Sequence, residues 1–246
     1  MKPRLLVSLA LAMGGVLMGD ACTAPNDQTL VINGVFPPAS LTGGTTGGCG
    51  AGANEIASGL LDITLAQTVS TGYLLFPSVL NKQISNASFN RGIETNQIII
   101  DTARVDITLN NATAAGAPPN DLSFDETIYA YIRPEESAAV PVELLPADLV
   151  KHLTVSGNAY AQVSLQFIGQ SNNNTIKSNT MKFTVNLCAG CLIHQVGACC
   201  AAAMNLGLCN PGQDAPVDCC TNGSGATVCP AAIVAGSPCA TTDAGP

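Results

Sequence analysis

The chain has 246 residues, of which 47% are hydrophobic and only 11% are charged, and its formal net charge is −8. These apolar residues are sufficient for a core of ordinary domain size. The nine cations are scattered and form no basic cluster that could neutralise phosphates, so the composition excludes a nucleic-acid partner.

Residues 1–21 have the layout of a secretory signal peptide. Lys2 and Arg4 precede an apolar run over 5–18, which is followed by small residues and then by Cys22. The run is shorter than the ~20 residues that a helix needs to cross a bilayer. The segment therefore predicts export and removal of the signal, and any membrane attachment must come from a lipid or a partner.

The end of this signal is compatible with two kinds of cleavage. Ala21 and Cys22 match the bacterial lipobox, whereas Gly19 and Asp20 depart from it. Gly19 and Ala21 also satisfy the small-residue rule for ordinary cleavage before Cys22. The chain has 11 cysteines, and lipidation of Cys22 would leave ten, an even number that can pair fully in an oxidising compartment. We therefore predict that Cys22 carries lipid and attaches the protein to the bacterial outer membrane.

Composition divides the mature chain into three parts. Residues 22–54 contain a glycine tract with little side-chain volume, which predicts a flexible tether with one short strand near 29–32. Residues 55–187 hold short alternating or apolar runs between turn residues, which predicts a mainly β domain, an antiparallel β-sandwich of immunoglobulin type. Residues 188–246 contain nine cysteines and no Lys or Arg, which predicts a small disulfide-rich module.

Local patterns refine the sandwich. One short helix is predicted in PADLVKHL, with Pro146 at its first position and Asp148 in its first turn. The run LLDITL near Leu60 is predicted as a strand. Alternation predicts that most tyrosine rings point into the core, which leaves no aromatic platform of the kind that sugar-binding sandwiches present. The tyrosines are Tyr73, Tyr129, Tyr131 and Tyr160.

The cysteines that follow Cys22 are candidates for disulfide bonds. They are Cys49, Cys188, Cys191, Cys199, Cys200, Cys209, Cys219, Cys220, Cys229 and Cys239. Nine of them lie in the C-terminal module, an odd number, so we predict that Cys49 pairs with one of the nine. Adjacent cysteines are not expected to bridge each other, because so tight a ring strains the disulfide torsion.

The CxxC pair, Cys188 and Cys191, follows a predicted strand, as the reactive pair of thioredoxin-like proteins does. No helical pattern or aromatic lead-in accompanies it, so a structural disulfide is favoured. A zinc site formed with His194 and either Cys199 or Cys200 is the alternative. Exported thiols oxidise unless metal arrives first, so neither a metal nor a cofactor is predicted.

Three motifs resemble a known group of proteins. They are RGIETNQIII around Arg91, FTVNLCAGCL from Phe183 and CNPGQDAPVDCC from Cys209. In sequence and in order, they are similar to uncharacterised cysteine-rich envelope lipoproteins of the myxobacterial type. The resemblance implies the same location and the same architecture, a last strand followed by CxxC and a cysteine-rich tail. It implies no catalytic residue.

The chain offers few groups for catalysis. It has two histidines and neither a GxSxG nor an HExxH motif. The segment PPNDLSFDE could bind calcium through Asn120, Asp121 and Asp125, but it lacks the spacing and the glycine of known calcium loops. The carboxylates occur in the pairs Asp101 and Asp106, Asp125 and Glu126, and Glu135 and Glu136. Solvated surface charge is the favoured interpretation of all three pairs.

We therefore predict a non-enzymatic binding or structural component of the cell surface. Its expected partners are the membrane, through the lipid, and an envelope protein or polysaccharide. The alternative is an exported hydrolase with a carboxylate-based site. In that case a cleft should bring together two or more members of one set of side chains. The set is Asp101, Asp106, Asp125, Glu126, His152 and His194.

Overall fold

The computed structural model describes residues 28–40, 49–88, 92–117, 122–198 and 209–229, over which the chain is mainly β. The strands are β1 (Leu30–Phe36), β2 (Pro38–Ser40), β3 (Cys49–Ala51), β4 (Ser58–Asp62), β5 (Tyr73–Asn81), β6 (Ile98–Ala114), β7 (Ser123–Ile132), β8 (Ser137–Ala139), β9 (Val142–Leu145), β10 (Leu153–Ser171), β11 (Asn174–Lys177), β12 (Met181–Cys188), β13 (Ile193–Ala198), β14 (Val217–Thr221) and β15 (Thr227–Val228). The helices are α1 (Ile63–Val69) and α2 (Ala147–Val150).

Two sheets form a sandwich. The first has the order β1-β5-β8, with β9 also paired to β5. The second has the order β4-β12-β10-β6-β7, with β11 paired to β10. Neighbouring strands within them are antiparallel, except that β4 runs parallel to β12. The predicted sandwich-like, mainly β architecture is therefore confirmed.

The core lies between the two sheets and follows the period-two alternation of their strands. In β10, Val163, Leu165 and Phe167 are fully buried, whereas the residues between them face away from the core. From the opposite sheet, β5 contributes the fully buried Leu75 and Val79 to the same cluster. Because side chains alternate across a strand, one register places all these apolar groups on the inner face.

The segment predicted as a tether is ordered where the structure describes it. β1 pairs with β5, and its Leu30 and Ile32 are buried in the sandwich core. β2 and β3 pair with each other, and Gly52 N–H donates to the Pro37 carbonyl at 2.7 Å. The short strand predicted near 29–32 is present within β1, whereas β2 and β3 lie in the part of 22–54 that was predicted as a flexible tether.

The run LLDITL was predicted as one strand, and it divides at Asp62. The Asp62 carboxylate accepts hydrogen bonds from the N–H groups of Thr64 at 3.0 Å and Leu65 at 3.4 Å. An aspartate in this position satisfies the free donors of a helix N-terminus, so α1 begins at Ile63. The second helix lies where it was predicted, with Asp148 in its first turn, although Pro146 caps the helix instead of opening it.

The C-terminal module is built on the small sheet β13-β14-β15. Its apolar cluster consists of Leu192, Val217, Cys219 and Cys229, together with Leu65 from α1. The module is therefore packed directly on the sandwich through α1. In the described parts of the chain, neither helix combines the length and hydropathy that a bilayer crossing requires.

Candidate functional site

The motif NPGQD, residues 210–214, joins the module to the sandwich. Its side chains form hydrogen bonds to the sandwich backbone of the kind that a neighbouring strand would form. The Gln213 side chain donates from Nε2 to the Leu74 carbonyl at 2.6 Å and accepts the Leu74 N–H on Oε1 at 3.0 Å. Asn210 Nδ2 donates to the Gly72 carbonyl at 2.9 Å. The backbone at the start of β5 is thus satisfied by two amide side chains of the tail.

Asp214 connects the module to a second strand of the sandwich, β4, and to the Tyr73 side chain. Its Oδ1 accepts the Leu60 N–H at 2.7 Å, and its Oδ2 accepts the Tyr73 hydroxyl at 2.8 Å. Burial, and then the neighbouring carboxylate, raise the pKa of Tyr73, so the phenol remains a donor. Gly212 has φ of +91°, and a Cβ there would lie 3.0 Å from the Leu65 Cβ. The motif therefore needs glycine at this position for both conformation and space.

Disulfide bonds reinforce the same junction. Cys49 is bonded to Cys209, the residue immediately before the motif, across 160 positions of sequence. This is the kind of pairing that the odd number of module cysteines predicts. The other described bridges join Cys188 to Cys191 and Cys219 to Cys229. Cys220 is also disulfide-bonded. The remaining candidates, Cys22, Cys199, Cys200 and Cys239, lie outside the described residues.

The CxxC ring packs against the cap of α1. The buried Asp62 carboxylate accepts the Gly190 N–H and the Leu192 N–H, both at 2.9 Å. Asp62, Cys188 and Cys191 are the described side chains whose ligand atoms cluster within 4.8 Å of one another. Both sulfurs form a disulfide, and the carboxylate accepts four backbone donors, so the geometry is that of a structural staple.

The zinc set that was considered as the alternative to a structural disulfide is not assembled among its described members. Cys188 and Cys191 are bonded to each other, and His194 lies on β13 with its Nδ1 at 2.9 Å from Oδ1 of Asp218. The other two candidates of that set, Cys199 and Cys200, lie outside the described residues.

A cleft of about 600 Å³ opens where β7 faces β9 and the turn between α1 and β5. Its walls are residues from β7, from the segment around β9, from that turn and from the docked tail. They are Ser70, Thr71, Gly72, Leu74, Glu126, Thr127, Ile128, Tyr129, Val140, Pro141, Glu143 and Asn210. The cleft therefore combines an aromatic ring, hydroxyls, an amide and two carboxylates on an open side of the sandwich.

The two carboxylates of the cleft are half-buried, and each accepts a hydrogen bond from a backbone N–H group within the segment 143–147. Glu126 Oε2 accepts the Glu143 N–H at 3.2 Å, and Glu143 Oε1 accepts the Ala147 N–H at 3.0 Å. Burial raises the pKa of both groups, and the charge of Glu143 raises that of Glu126 further. Both carboxyl groups are therefore easier to protonate than a solvated glutamate.

The other predicted carboxylates lie elsewhere. Asp125 forms a two-pronged ion pair with Arg104 at 2.9 and 3.0 Å, and this hydrogen bonding lowers the Asp125 pKa. Asp106 accepts the Ser123 hydroxyl at 2.6 Å, and Asp101 accepts the Thr102 hydroxyl at 2.8 Å.

Of the six side chains proposed to converge, Glu126 alone is among those that line this cleft. Glu143 was not among the candidates. A single charged residue inside the apolar run VELL was the signal that could have identified it. In the suggested calcium loop, Asp125 is engaged by Arg104, and Asn120 and Asp121 lie outside the described residues.

The tyrosine prediction is wrong for three of the four rings. Tyr73 is fully buried, but Tyr129, Tyr131 and Tyr160 are exposed, Tyr129 to 79%. In ETIYAYI, isoleucines alternate with tyrosines, and both are large enough to fill a core. The alternation therefore predicts a strand but does not show which of the two sets of side chains faces inward. The isoleucines and alanine turn to the core, and Tyr129 turns outward, although it is among the residues that line the cleft.

No protein-family model, curated protein or solved structure matches this chain. The candidate site therefore stands on its own geometry. The cleft has both polar and apolar lining residues and includes the exposed Tyr129. Asn210 of the cross-linked module forms part of one wall.

Proposed function

We propose that this protein is an exported envelope lipoprotein of the myxobacterial type that binds a polysaccharide in the cleft between β7 and β9. Its signal segment, Cys22 and cysteine parity support export and lipidation at the outer membrane. On this proposal it is a binding component of the cell surface and performs no catalysis.

The observation that carries the ligand class is that Tyr129, an exposed tyrosine, lines the cleft together with residues that bear hydroxyl, amide and carboxylate groups. A tyrosine presents an apolar face that stacks on the apolar face of a sugar ring. Glu126 and Glu143 supply carboxylate acceptors for sugar hydroxyls, while Asn210 donates its amide hydrogens to the Gly72 carbonyl and to Gln213 Oε1. The acidic cleft and the net charge of −8 favour neutral over anionic polysaccharides.

The cleft is tested by affinity electrophoresis in gels that contain neutral envelope polysaccharide. Tyr129→Ala should weaken retardation about tenfold, because stacking contacts of this kind contribute on the order of 1–1.5 kcal/mol. Tyr160→Ala is the matched control, since Tyr160 is an exposed ring that is not among the cleft residues. Equal retardation of the two variants, or no retardation of the parent protein, would reject the polysaccharide proposal.

A carboxylate-based hydrolase remains the second candidate, because Glu126 and Glu143 share the cleft and both have raised pKa values. Glycoside hydrolysis uses such a pair, one group as acid and the other as base or nucleophile. Incubation with the same polysaccharide would then release new reducing ends, and Glu126→Gln and Glu143→Gln would each abolish the release. Binding without release in the parent protein supports the binding component.

Lipidation is tested separately with Cys22→Ser. The variant should lose fatty-acid label and move from the membrane to the soluble fraction, because stable anchoring requires acyl chains on the protein. Unchanged partitioning with label retained would show that another group holds the protein.

We also propose that the sandwich is of the immunoglobulin type. The sheet order β4-β12-β10-β6-β7, with an early strand parallel to the last strand and the remaining neighbours antiparallel, supports it. So does the opposite sheet, in which β5 lies between β1 and the short strands β8 and β9. In such a domain, the loop between β5 and β6 lies at one end of the sandwich.

A further inference from the structure

Two isoleucines are conspicuously exposed on the loop between β5 and β6. Ile84 has 73% of its surface exposed and Ile93 has 65%, and the other large exposed hydrophobics among the described residues are tyrosines. A tyrosine keeps its hydroxyl in water, whereas an isoleucine has no polar group to compensate. Two such side chains on one loop therefore require a physical explanation.

Hydrogen bonds within the loop join the two stretches of chain that carry these isoleucines. Ser85 Oγ donates to Glu94 Oε2 at 2.6 Å, which joins the residue after Ile84 to the residue after Ile93. Asn96 Nδ2 donates to the Ile84 carbonyl at 2.8 Å.

A second set of bonds links the same two stretches of the loop. Asn86 Nδ2 donates to Thr95 Oγ1 at 2.6 Å, and Thr95 N–H donates back to Asn86 Oδ1 at 3.0 Å. The described parts of the loop, 82–88 and 92–97, are thus held together by their polar groups, and both isoleucines are exposed within them.

The chain enters the sandwich beside this loop. Lys82 N–H donates to the Thr29 carbonyl at 2.7 Å, and Leu30 pairs with Asn81 at the start of β1. From Cys22 to Thr29 there are seven residue steps, which span at most about 25 Å when fully extended. A lipid on Cys22 would therefore keep this end of the sandwich within a short distance of the bilayer.

Charge at this end does not favour attraction to anionic headgroups. Lys82 and Arg91 belong to this loop together with Glu94, and Arg133 lies in the same turn as Glu135 and Glu136, so cations and carboxylates balance. Any contact with a lipid surface must therefore be driven by apolar side chains. Two isoleucines would bind weakly by themselves, but attachment of the chain raises their concentration at the surface.

We propose that Ile84 and Ile93 insert into the surface of the membrane that holds the lipid anchor, so that the lipoprotein stands on its β5–β6 loop. The proposal rests on lipidation of Cys22. The length of chain between Cys22 and β1 favours lipid over a protein partner, because the anchor fixes which surface this loop meets.

The chain has no tryptophan, so a single introduced tryptophan reports its own surroundings. Full-length lipidated Ile84→Trp protein is bound to vesicles of neutral phosphatidylcholine with and without brominated acyl chains. The expected result is blue-shifted emission that the brominated lipid quenches. Thr113→Trp is the matched control, since Thr113 is exposed near the far end of β6, about 50 Å along the strand from Ile98, and its emission should stay unquenched.

Cosedimentation of the same samples separates the two proposals. Protein that sediments with vesicles while Ile84→Trp emission remains unquenched overturns the insertion and leaves the lipid anchor intact. Protein that does not sediment overturns both proposals. Equal quenching at both positions would show that the molecule lies flat and would also overturn an upright orientation. A blue shift caused by soluble envelope proteins, without one on vesicles, would assign the loop to a protein partner.

Discussion

The sandwich and the C-terminal module are stabilised in different ways. The sandwich buries a continuous cluster in which Leu75, Phe167 and many other apolar side chains are fully covered. The module has a small cluster, and one of its members, Leu65, comes from α1. The module depends on disulfides and on the polar contacts of Gln213 and Asp214. A short segment that buries little apolar surface thus gains its structure from cross-links and from docking onto a larger core.

The largest expected effect comes from removing the link between the two regions. Cys49→Ser with Cys209→Ser opens a loop of 160 residues, for which chain-entropy models give about 5 kcal/mol as an upper value. We expect a large decrease in the free energy of unfolding, measured by urea denaturation without reductant. The double variant Cys188→Ser with Cys191→Ser is the control, because its loop spans three positions and its loss should be well below half as large.

The same bridge is visible in a tryptic digest. No Lys or Arg lies between Cys22 and Lys82 or after Lys182, so a non-reduced digest should contain the 22–82 peptide joined to the 183–246 peptide. Separation of these two peptides without reductant would contradict the bridge.

An intermediate effect is expected from the polar junction. Gln213→Ala leaves the Leu74 N–H and carbonyl without their partners, which costs about 1–3 kcal/mol. The control is Gln195→Ala, since among the described residues the exposed Gln195 side chain bonds to Thr227 within the module, and its loss should stay within about 0.5 kcal/mol. If both variants unfold at the same urea concentration, the junction contributes less than its geometry indicates.

Hydrogen exchange locates the effect of the same substitution. In Gln213→Ala, amides of β14 should lose protection before those of β10, because the module would detach from a sandwich that remains folded. Simultaneous loss in both strands would show that the two regions unfold as one unit.

The smallest expected effect is a pH dependence within the sandwich. The pKa of Glu126 is raised on folding, so its contribution to stability is complete below the unfolded value of about 4.3 and is lost as pH rises through the folded value. Glu126→Gln should therefore remove part of the decline in Tm above pH 4. The effect is small because the group is half-exposed.

Asp125→Asn should change the pH dependence of stability in the opposite direction. Hydrogen bonding by Arg104 lowers the Asp125 pKa, so the contribution of Asp125 is present above about 3.9 and is lost as pH falls through the folded value. The substitution should flatten the acid side of the profile. Profiles of Tm against pH that change in the same direction for both variants would contradict these assignments.

Strand positions and the sandwich architecture could be predicted because alternation in runs such as VDITL and VSLQF reports burial directly. The phase of that alternation could not be predicted for ETIYAYI, where Tyr129 and Ile128 compete for the core. Local capping was also missed at Asp62, since the apolar residues around it continue without a break. The cleft could not be predicted from the sequence, because Glu126 and Glu143 belong to different strands that only the tertiary fold brings together.

The parallel pairing of β4 with β12 has a consequence for the order of folding. Ser58 lies beside Thr184, and the junction with Asp214 lies still later in the chain. A chain that emerges with its N-terminus first cannot give β4 a neighbour until β12 has emerged. Sheets closed by such distant segments fold slowly, because the chain must lose entropy before those contacts form. β4 therefore remains unpaired for longer than β1, β2 and β3, whose partners lie earlier in the chain, and in this interval chaperones and aggregation compete for it.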